Sequence, residues 1–542
     1  MLSKEEKNTY RSDLFRHLDG IAIAPVAYSL KEKGVLDRLL EKKQFHLEEL
    51  TEEFKANEGY LNVALRLMAS QGWLNYQLDN ETNMVVVSKN ESSSLAFAKT
   101  ERFKDVVGFM KASEGFHPRS FDAEQFTMLN RIFIKHANGE YSGDSKDAQA
   151  EDIDFQIAKH IEGVLVGPIT VFLGMDGMFH KYFMEASFSP EEFHEDPVSF
   201  SKILDFFTFL GWFSKKNDHY RFTNKGLFFA RRSSAYGVTV SYIPTFRRMD
   251  ELLFGNASML RSSMPNSSEI HVDREMNVWG SGGAHSAYFK KIDEIIISLF
   301  NKPIEEQPKG ILDMGCGNGA FLIHLFEVIE QRTKRGTMLE EYPLFLVGVD
   351  YNKAALKVTR SNLVKADIWA KVIWGDIGDP EKLEEDIQAS YDIDLSDLLN
   401  VRTFLDHNRP WSAPQDNGRT KVSTSTGAFA SCGQRLSNQD VEQNLKEHFQ
   451  KWIPHIKKFG LLLIELHTVH PEITARNIGK TAATAYDATH GFSDQYILEL
   501  DVFLKVIKEI GLETVDSHFS KFPNSELATV SINYLVAGNS KN

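Results

Sequence analysis

The stretch 311-ILDMGCGNGAFL-322 decides how this chain is read. An apolar run ends in Asp313, glycines follow at every second position (Gly315, Gly317, Gly319), and a helical pattern then begins. A packed core has no use for so much glycine. Residues without side chains, placed where a strand gives way to a helix, let a ligand come against the backbone. A dinucleotide site would read GxGxxG, with the pyrophosphate on the helix N-terminus. Here the spacing is DxGxGxG, and the leading acid repels phosphate and suits a cationic ligand.

From about residue 270 onward the runs GILDMG, LFLVGVD, AKVIWGD, DIDLSDLL and LLLIELH alternate with helical patterns. That alternation predicts a parallel sheet with helices on both faces, an α/β doubly wound, Rossmann-like domain over 270–542. Asp350 closes the second run and Asp376 the third. A carboxylate at the first of these positions takes both ribose hydroxyls of a nucleoside, and one at the second accepts from an adenine amino group.

The region before residue 270 reads as mainly α. Two amphipathic runs, IAPVAYSLKEKGVLDRLLE and GYLNVALRLMASQGWLNY, flank HLEELTEEF and precede NMVVVSK, which is a winged-helix order. The order recurs about 140 residues on, and QGWL (71–74) and LGWF (210–213) fall at the same point of each copy, as Gly34 and Gly177 do. Tandem winged-helix-like units over 1–140 and 141–269 are expected, the second including a lid or connector. Polar stretches at 141–155 and 255–269 read as linkers. The third helices carry little more than Arg66, and Lys202 beside Asp205, so they serve dimerisation or a substrate lid rather than DNA.

The three acids and the glycines together resemble the class I S-adenosylmethionine-dependent methyltransferases over roughly 270–542. The resemblance implies that Asp313, Gly315, Gly317 and Gly319 pass under the methionine portion, that Asp350 binds the ribose and that Asp376 binds the adenine. It also implies that 273-DREMNVWGSGGAHSAYF-289 closes over the methionine end, with Asn277, Gly282, His285 and Tyr288 as candidates; a plain capping turn is the alternative.

The second half of the site follows the fourth run, in 403-TFLDHNRPW-411, which sets Asp406 and His407 where an acceptor must meet the methyl group. The fifth run delivers His467, with His470 three residues later, and 486-YDATHGFSDQY-496 offers His490 and Gln495. Three readings stay open. His407 is a general base oriented by Asp406 or another acid, as in the plant-type O-methyltransferases that carry a winged-helix dimerisation domain. Alternatively His407 or Asp406 joins His490 and Gln495 to hold iron or manganese, which acidifies a carbon acid. Otherwise these are ordinary loop hydrogen-bonders. DHNRP, THGFSDQ and NVWGSG together resemble the metal-dependent C-methyltransferases of apratoxin-type polyketide synthase loading modules and the α-keto acid C-methyltransferases. That likeness implies metal-assisted C-methylation of a keto acid or a carrier-bound acyl group. Arg402 and Arg409 are candidates for a substrate carboxylate or phosphate, and 412–434 reads as a flap or a surface loop.

Composition narrows the alternatives. A net charge of −14 argues against nucleic acid and anionic membrane as partners. There is no run of about 18 apolar residues and no apolar centre in the charged N-terminus, so a cytoplasmic location is expected. Two cysteines, Cys316 and Cys432, exclude a disulfide framework. A small-molecule or carrier-bound substrate and a homodimer through the N-terminal units are expected. A non-catalytic cofactor-binding regulator or scaffold is the alternative of another class.

Overall fold

In the computed structural model the described residues are 2–113, 123–143, 147–181, 186–260, 269–415 and 422–538. Parts of the expected linkers and of the 412–434 insert lie outside them. The chain divides into two compact units. One comprises 1–284 with 430–435 and 470–493, and the other comprises 285–429, 436–469 and 494–542.

The second unit is built on eight strands: β1 (Gly310–Met314), β2 (Phe345–Asp350), β3 (Lys371–Trp374), β4 (Leu398–Thr403), β5 (Leu461–Leu466), β6 (Leu512–Thr514), β7 (Ser520–Phe522) and β8 (Val530–Ala537). Their order is β6-β8-β5-β4-β1-β2-β3, with β7 also paired to β8. The five strands β3-β2-β1-β4-β5 are parallel, and β8 runs antiparallel to β5. β1, β4 and β5 are buried almost throughout because they are central and covered on both faces. On one face Leu312, Met314, Leu461 and Leu463 pack with Phe449 and Trp452 of helix Asn438–Ile456 and with Phe503 and Val506 of helix Leu500–Glu509. Strand order reverses between β1 and β4, so a crevice opens beyond the carboxyl ends of these two strands.

The first unit repeats one small arrangement. The strands Gln44–His46, Asn75–Asp79 and Met84–Ser88 pair with the last in the centre, and so do Ser187–Phe188, Phe213–Lys216 and His219–Phe222. Each hairpin follows a wholly buried tryptophan, Trp73 or Trp212, that sits just after a left-handed glycine, Gly72 or Gly211. Gly34 and Gly177 also share positive φ, at 86° and 77°. Between the two copies the long helices Lys4–Glu32 and Ala148–Met175 cross at very close range. A Cβ on Gly20 would lie 2.2 Å from the His160 Cα, and one on Gly163 would lie 2.3 Å from the His17 carbonyl oxygen. Helix Ala148–Met175 has the length and mean hydropathy (1.3) of a membrane span, but 83% of that window is buried inside the protein. Its apolar character is that of a core helix.

Candidate active site

The glycine loop leaves β1 and is pinned to β2. Gly315, Gly317 and Gly319 have φ of 79°, 55° and 80°, a region closed to most L-residues, which is why the motif needs glycine at each. The amides of Gly315 and Cys316 donate to the Val349 carbonyl at 2.8 and 3.0 Å. The Gly317 amide donates to Asp350 Oδ2 at 2.9 Å, and Thr359 Oγ1 donates to the Gly317 carbonyl at 2.7 Å. Asp350 Oδ1 accepts from the Asn352 amide, and Asp376 Oδ1 accepts from the Gly378 amide. Both acids therefore stand at the active ends of β2 and β3 with their carboxylates fixed by backbone. Beside them Tyr351 and Trp374 pair at 5.4 Å, and Trp374 Nε1 donates to the Tyr351 carbonyl. Two exposed aromatic rings at this rim, tilted at 47° to each other, offer apolar surface to a nucleobase.

Asp313 is different. It is 1% exposed, and neither carboxyl oxygen has a hydrogen-bond partner among the described residues. Burial, and after it the charge of Asp350, push it up to about 8. A buried acid left bare in this way fits a ligand that brings positive charge to the loop.

The Asp406–His407 pair sits on a turn after β4 whose first residue, Phe404, is left-handed at φ 54°. His407 Nδ1 is hydrogen-bonded to Glu465 Oε1 of β5 at 2.5 Å. Glu465 Oε1 also accepts from the Leu466 amide at 2.7 Å. Of the two possibilities left open, Asp406 or another acid, the one that meets the imidazole is another acid, Glu465. Asp406 faces Arg402 Nη1 (2.5 Å) and His448 Nε2 (2.8 Å) instead. Burial alone would raise its carboxyl, but the Arg402 guanidinium and His448 overcome this and hold it at about 2. Arg402 is wholly buried with its guanidinium 3.9 Å from the Trp452 ring. Arg409 donates to Asn444 Oδ1 and to the Asp406 and Val441 carbonyls, and burial brings it down to about 10. Both arginines are spent on this scaffold rather than offered to a substrate.

Of the other singled-out residues, His467 has both ring nitrogens occupied, by the Leu498 carbonyl and Ser531 Oγ, which leaves no lone pair for a metal. Gln495 is buried in the 494–499 segment, where the next amide, of Tyr496, donates to the His407 carbonyl at 2.8 Å. His490 belongs to the other compact unit, on helix Ala483–Gly491. Its Nδ1 lies 2.7 Å from the Tyr486 carbonyl, so Nδ1 is the protonated nitrogen and Nε2 carries the lone pair. Among the described residues no three His, Cys, Asp or Glu side chains converge as a metal site. The 273–289 segment is part of a continuous helix, Arg274–Phe300, not a turn. Its Gly280 packs on the backbone of Gly237, Asn277 Nδ2 donates to Ser241 Oγ at 3.1 Å, and Gly282 faces open space. Tyr288 packs its ring against Phe404 and Phe522, while the side chain of His285 is outside the described residues.

Three family models match the chain in sequence: an AprA N-terminal domain over 10–76, an AprA winged helix domain over 162–256 and an AprA MT2-like domain over 269–533. Together they take up more than three quarters of its length, in domain order. The chain belongs to the AprA-type methyltransferases. It is an enzyme that uses S-adenosylmethionine, on an α/β Rossmann-like fold with N-terminal winged-helix units. Among solved structures it is similar to an O-methyltransferase family protein from Burkholderia thailandensis (11% identity, TM-score 0.39), covering 69% of this chain and 95% of that one. It is also similar to the mitomycin 7-O-methyltransferase MmcR (9%, 0.41; 71% and 98%) and to the CurJ carbon methyltransferase (12%, 0.30; 76% and 99%). No curated protein matches.

In this AprA-type chain the described residues fit S-adenosylmethionine. The bare Asp313 carboxyl answers its positive charge, the left-handed glycines give it backbone to lie against, and Asp350 and the Tyr351–Trp374 pair answer its nucleoside. The features that sequence reasoning missed are Glu465, His448 and this aromatic pair. Glu465 carried one faint signal, an acid inside the otherwise apolar run LLLIEL.

Proposed function

We propose that this enzyme methylates the α-carbon of a keto acid or of an acyl thioester, and that His407 takes the α-proton. The observation that supports this reading is the His407–Glu465 pair, at the carboxyl ends of β4 and β5 on the same rim as the glycine loop. With its Nδ1 proton held by Glu465, the imidazole has its basic lone pair on Nε2, the nitrogen that takes a proton from the acceptor. S-adenosylmethionine supplies a methyl group whose bond to sulfur breaks as the new carbon–carbon bond forms, and it leaves as S-adenosylhomocysteine. His407 holds the α-proton as imidazolium, Glu465 balances that charge, and the apolar residues around the pair exclude water. The choice of carbon over oxygen rests on the likeness of DHNRP, THGFSDQ and NVWGSG to C-methyltransferases.

A divalent metal is a second reading, favoured by His490, whose Nδ1 contact with Tyr486 is the kind of support that fixes a ligating imidazole. Bound iron or manganese would polarise the acceptor carbonyl. We also propose that the N-terminal unit forms the homodimer contact, which light scattering of a 1–284 deletion tests.

The test of the main reading is a panel of α-keto acids, N-acetylcysteamine acyl thioesters and catechols incubated with S-adenosylmethionine and read by mass spectrometry. A methyl group found on carbon supports the proposal, and exclusive methylation of the catechol oxygens overturns it. Elemental analysis with chelation and add-back of iron or manganese decides the second reading.

A further inference from the structure

We propose that Arg402 and Asp406 are a matched pair of positioning residues, kept to fix the turn that presents His407 rather than to stabilise the fold. The inference rests on the reading of His407 as the base.

The position of Arg402 carries the argument. It lies on β4 between Val401 and Thr403, level with the apolar Met314 of β1 and Leu463 of β5 that flank it. Its guanidinium lies over the Trp452 ring, 3.9 Å from the centroid, a contact that does not use its hydrogen-bond donors. The charge is also poorly compensated. Nε and Nη2 of Arg402 and Oδ2 of Asp406 are buried without hydrogen-bond partners among the described residues. A buried ion pair with unmet capacity is a poor device for stability.

What the pair does do is tie down the turn from inside. Arg402 reaches four residues forward to the Asp406 carboxylate, His448 meets the same oxygen from helix Asn438–Ile456, and Arg409 closes onto the Asp406 carbonyl. Phe404, within that span, is held at φ 54° although it is not glycine. Strain of this sort persists only where surrounding contacts over-determine it, and it gathers at functional sites. With the turn locked, His407 meets Glu465 on the neighbouring strand. A displacement of about 1 Å at such a group can cost about 10²-fold in rate.

The experiment compares Arg402→Met with the double variant Arg402→Met/Asp406→Leu in the full-length protein. The single variant leaves a buried carboxylate without its guanidinium partner, with His448 alone facing it, and is expected to lose stability. The double variant removes both charges and is expected to melt at or above the wild-type temperature, to keep its affinity for S-adenosylhomocysteine and its acceptor KM, and to lose kcat by about 30- to 100-fold. A structural role predicts instead that stability and kcat fall together. A double variant with wild-type kcat, or one whose melting temperature falls along with its kcat, overturns the proposal. His407→Ala separates the two levels. If it retains full kcat, the base assignment itself fails. If it loses kcat while the double variant does not, only the positioning role fails.

Discussion

Replacing Asp313 by asparagine makes the electrostatics of the cofactor loop measurable. The carboxyl has an ordinary value of 3.8 and is pushed up to about 8 in the folded protein, first by burial and then by Asp350. For an acid raised in this way the folded state binds the extra proton between those two values. Stability therefore falls as pH rises through the window, by about 1.4 kcal/mol per pH unit, and the full cost is present above about pH 8. At pH 7 the penalty comes to ~4 kcal/mol as an upper figure. An amide in place of this carboxyl carries a similar burden of polar burial without the proton linkage. Asp313→Asn should thus be more stable than wild type at pH 7 and no more stable near pH 4. The same substitution should weaken S-adenosylmethionine binding, because the cation loses the carboxylate that it restores to the ionised form. Binding to wild type between pH 5.5 and 7 should release a proton, detected by calorimetry in buffers of different ionisation heat, and the variant should release none. If Asp313→Asn is less stable at pH 7, or wild type binds the donor without proton release, the reasoning is wrong.

Three further outcomes are expected. Asp350→Ala frees the Gly317 amide and removes the carboxylate proposed to take the ribose hydroxyls, so affinity for S-adenosylhomocysteine should fall by roughly 10- to 100-fold, at about 0.5–1.5 kcal/mol per lost hydrogen bond, as read by titration calorimetry. Glu465→Gln keeps the shape but not the charge behind His407 and should lower kcat by about 10²-fold with cofactor affinity unchanged, as measured by steady-state kinetics. Gly163→Ala puts a methyl group 2.3 Å from the His17 carbonyl oxygen, and the N-terminal unit should lose about 1–3 kcal/mol or more in chemical denaturation.

The sequence made the sheet and the cofactor half of the site legible for a local reason. Asp313, its three glycines, Asp350 and Asp376 each sit where an apolar run stops, so their places at the ends of three strands follow from the local pattern. The winged-helix repeat was visible through QGWL and LGWF because each tryptophan must be buried just before its hairpin. The catalytic half was less legible because its partners are distant in sequence. Glu465 lies 58 residues beyond His407, and His448 lies 42 residues beyond Asp406; only the β4–β5 pairing and the packing of helix Asn438–Ile456 bring them together. The motif DH left open whether Asp406 or another acid serves His407; neighbours on a turn point apart, and Asp406 turned to Arg402. The excursions of 430–435 and 470–493 into the N-terminal unit were illegible for the same reason. The Gly59 amide donates to the Gly433 carbonyl, and Arg66 ion-pairs with Asp487, across hundreds of residues with no local pattern to mark them.

Removal of a carbon-bound proton by His407 can be watched on its own, as hydrogen exchange without methyl transfer. An acceptor identified in the substrate panel is incubated in deuterium oxide with enzyme and S-adenosylhomocysteine, and its α-position is followed by NMR. The wild-type enzyme should wash deuterium into that carbon while His407→Ala, with its cofactor affinity intact, does not. Equal exchange in both proteins would contradict the assignment.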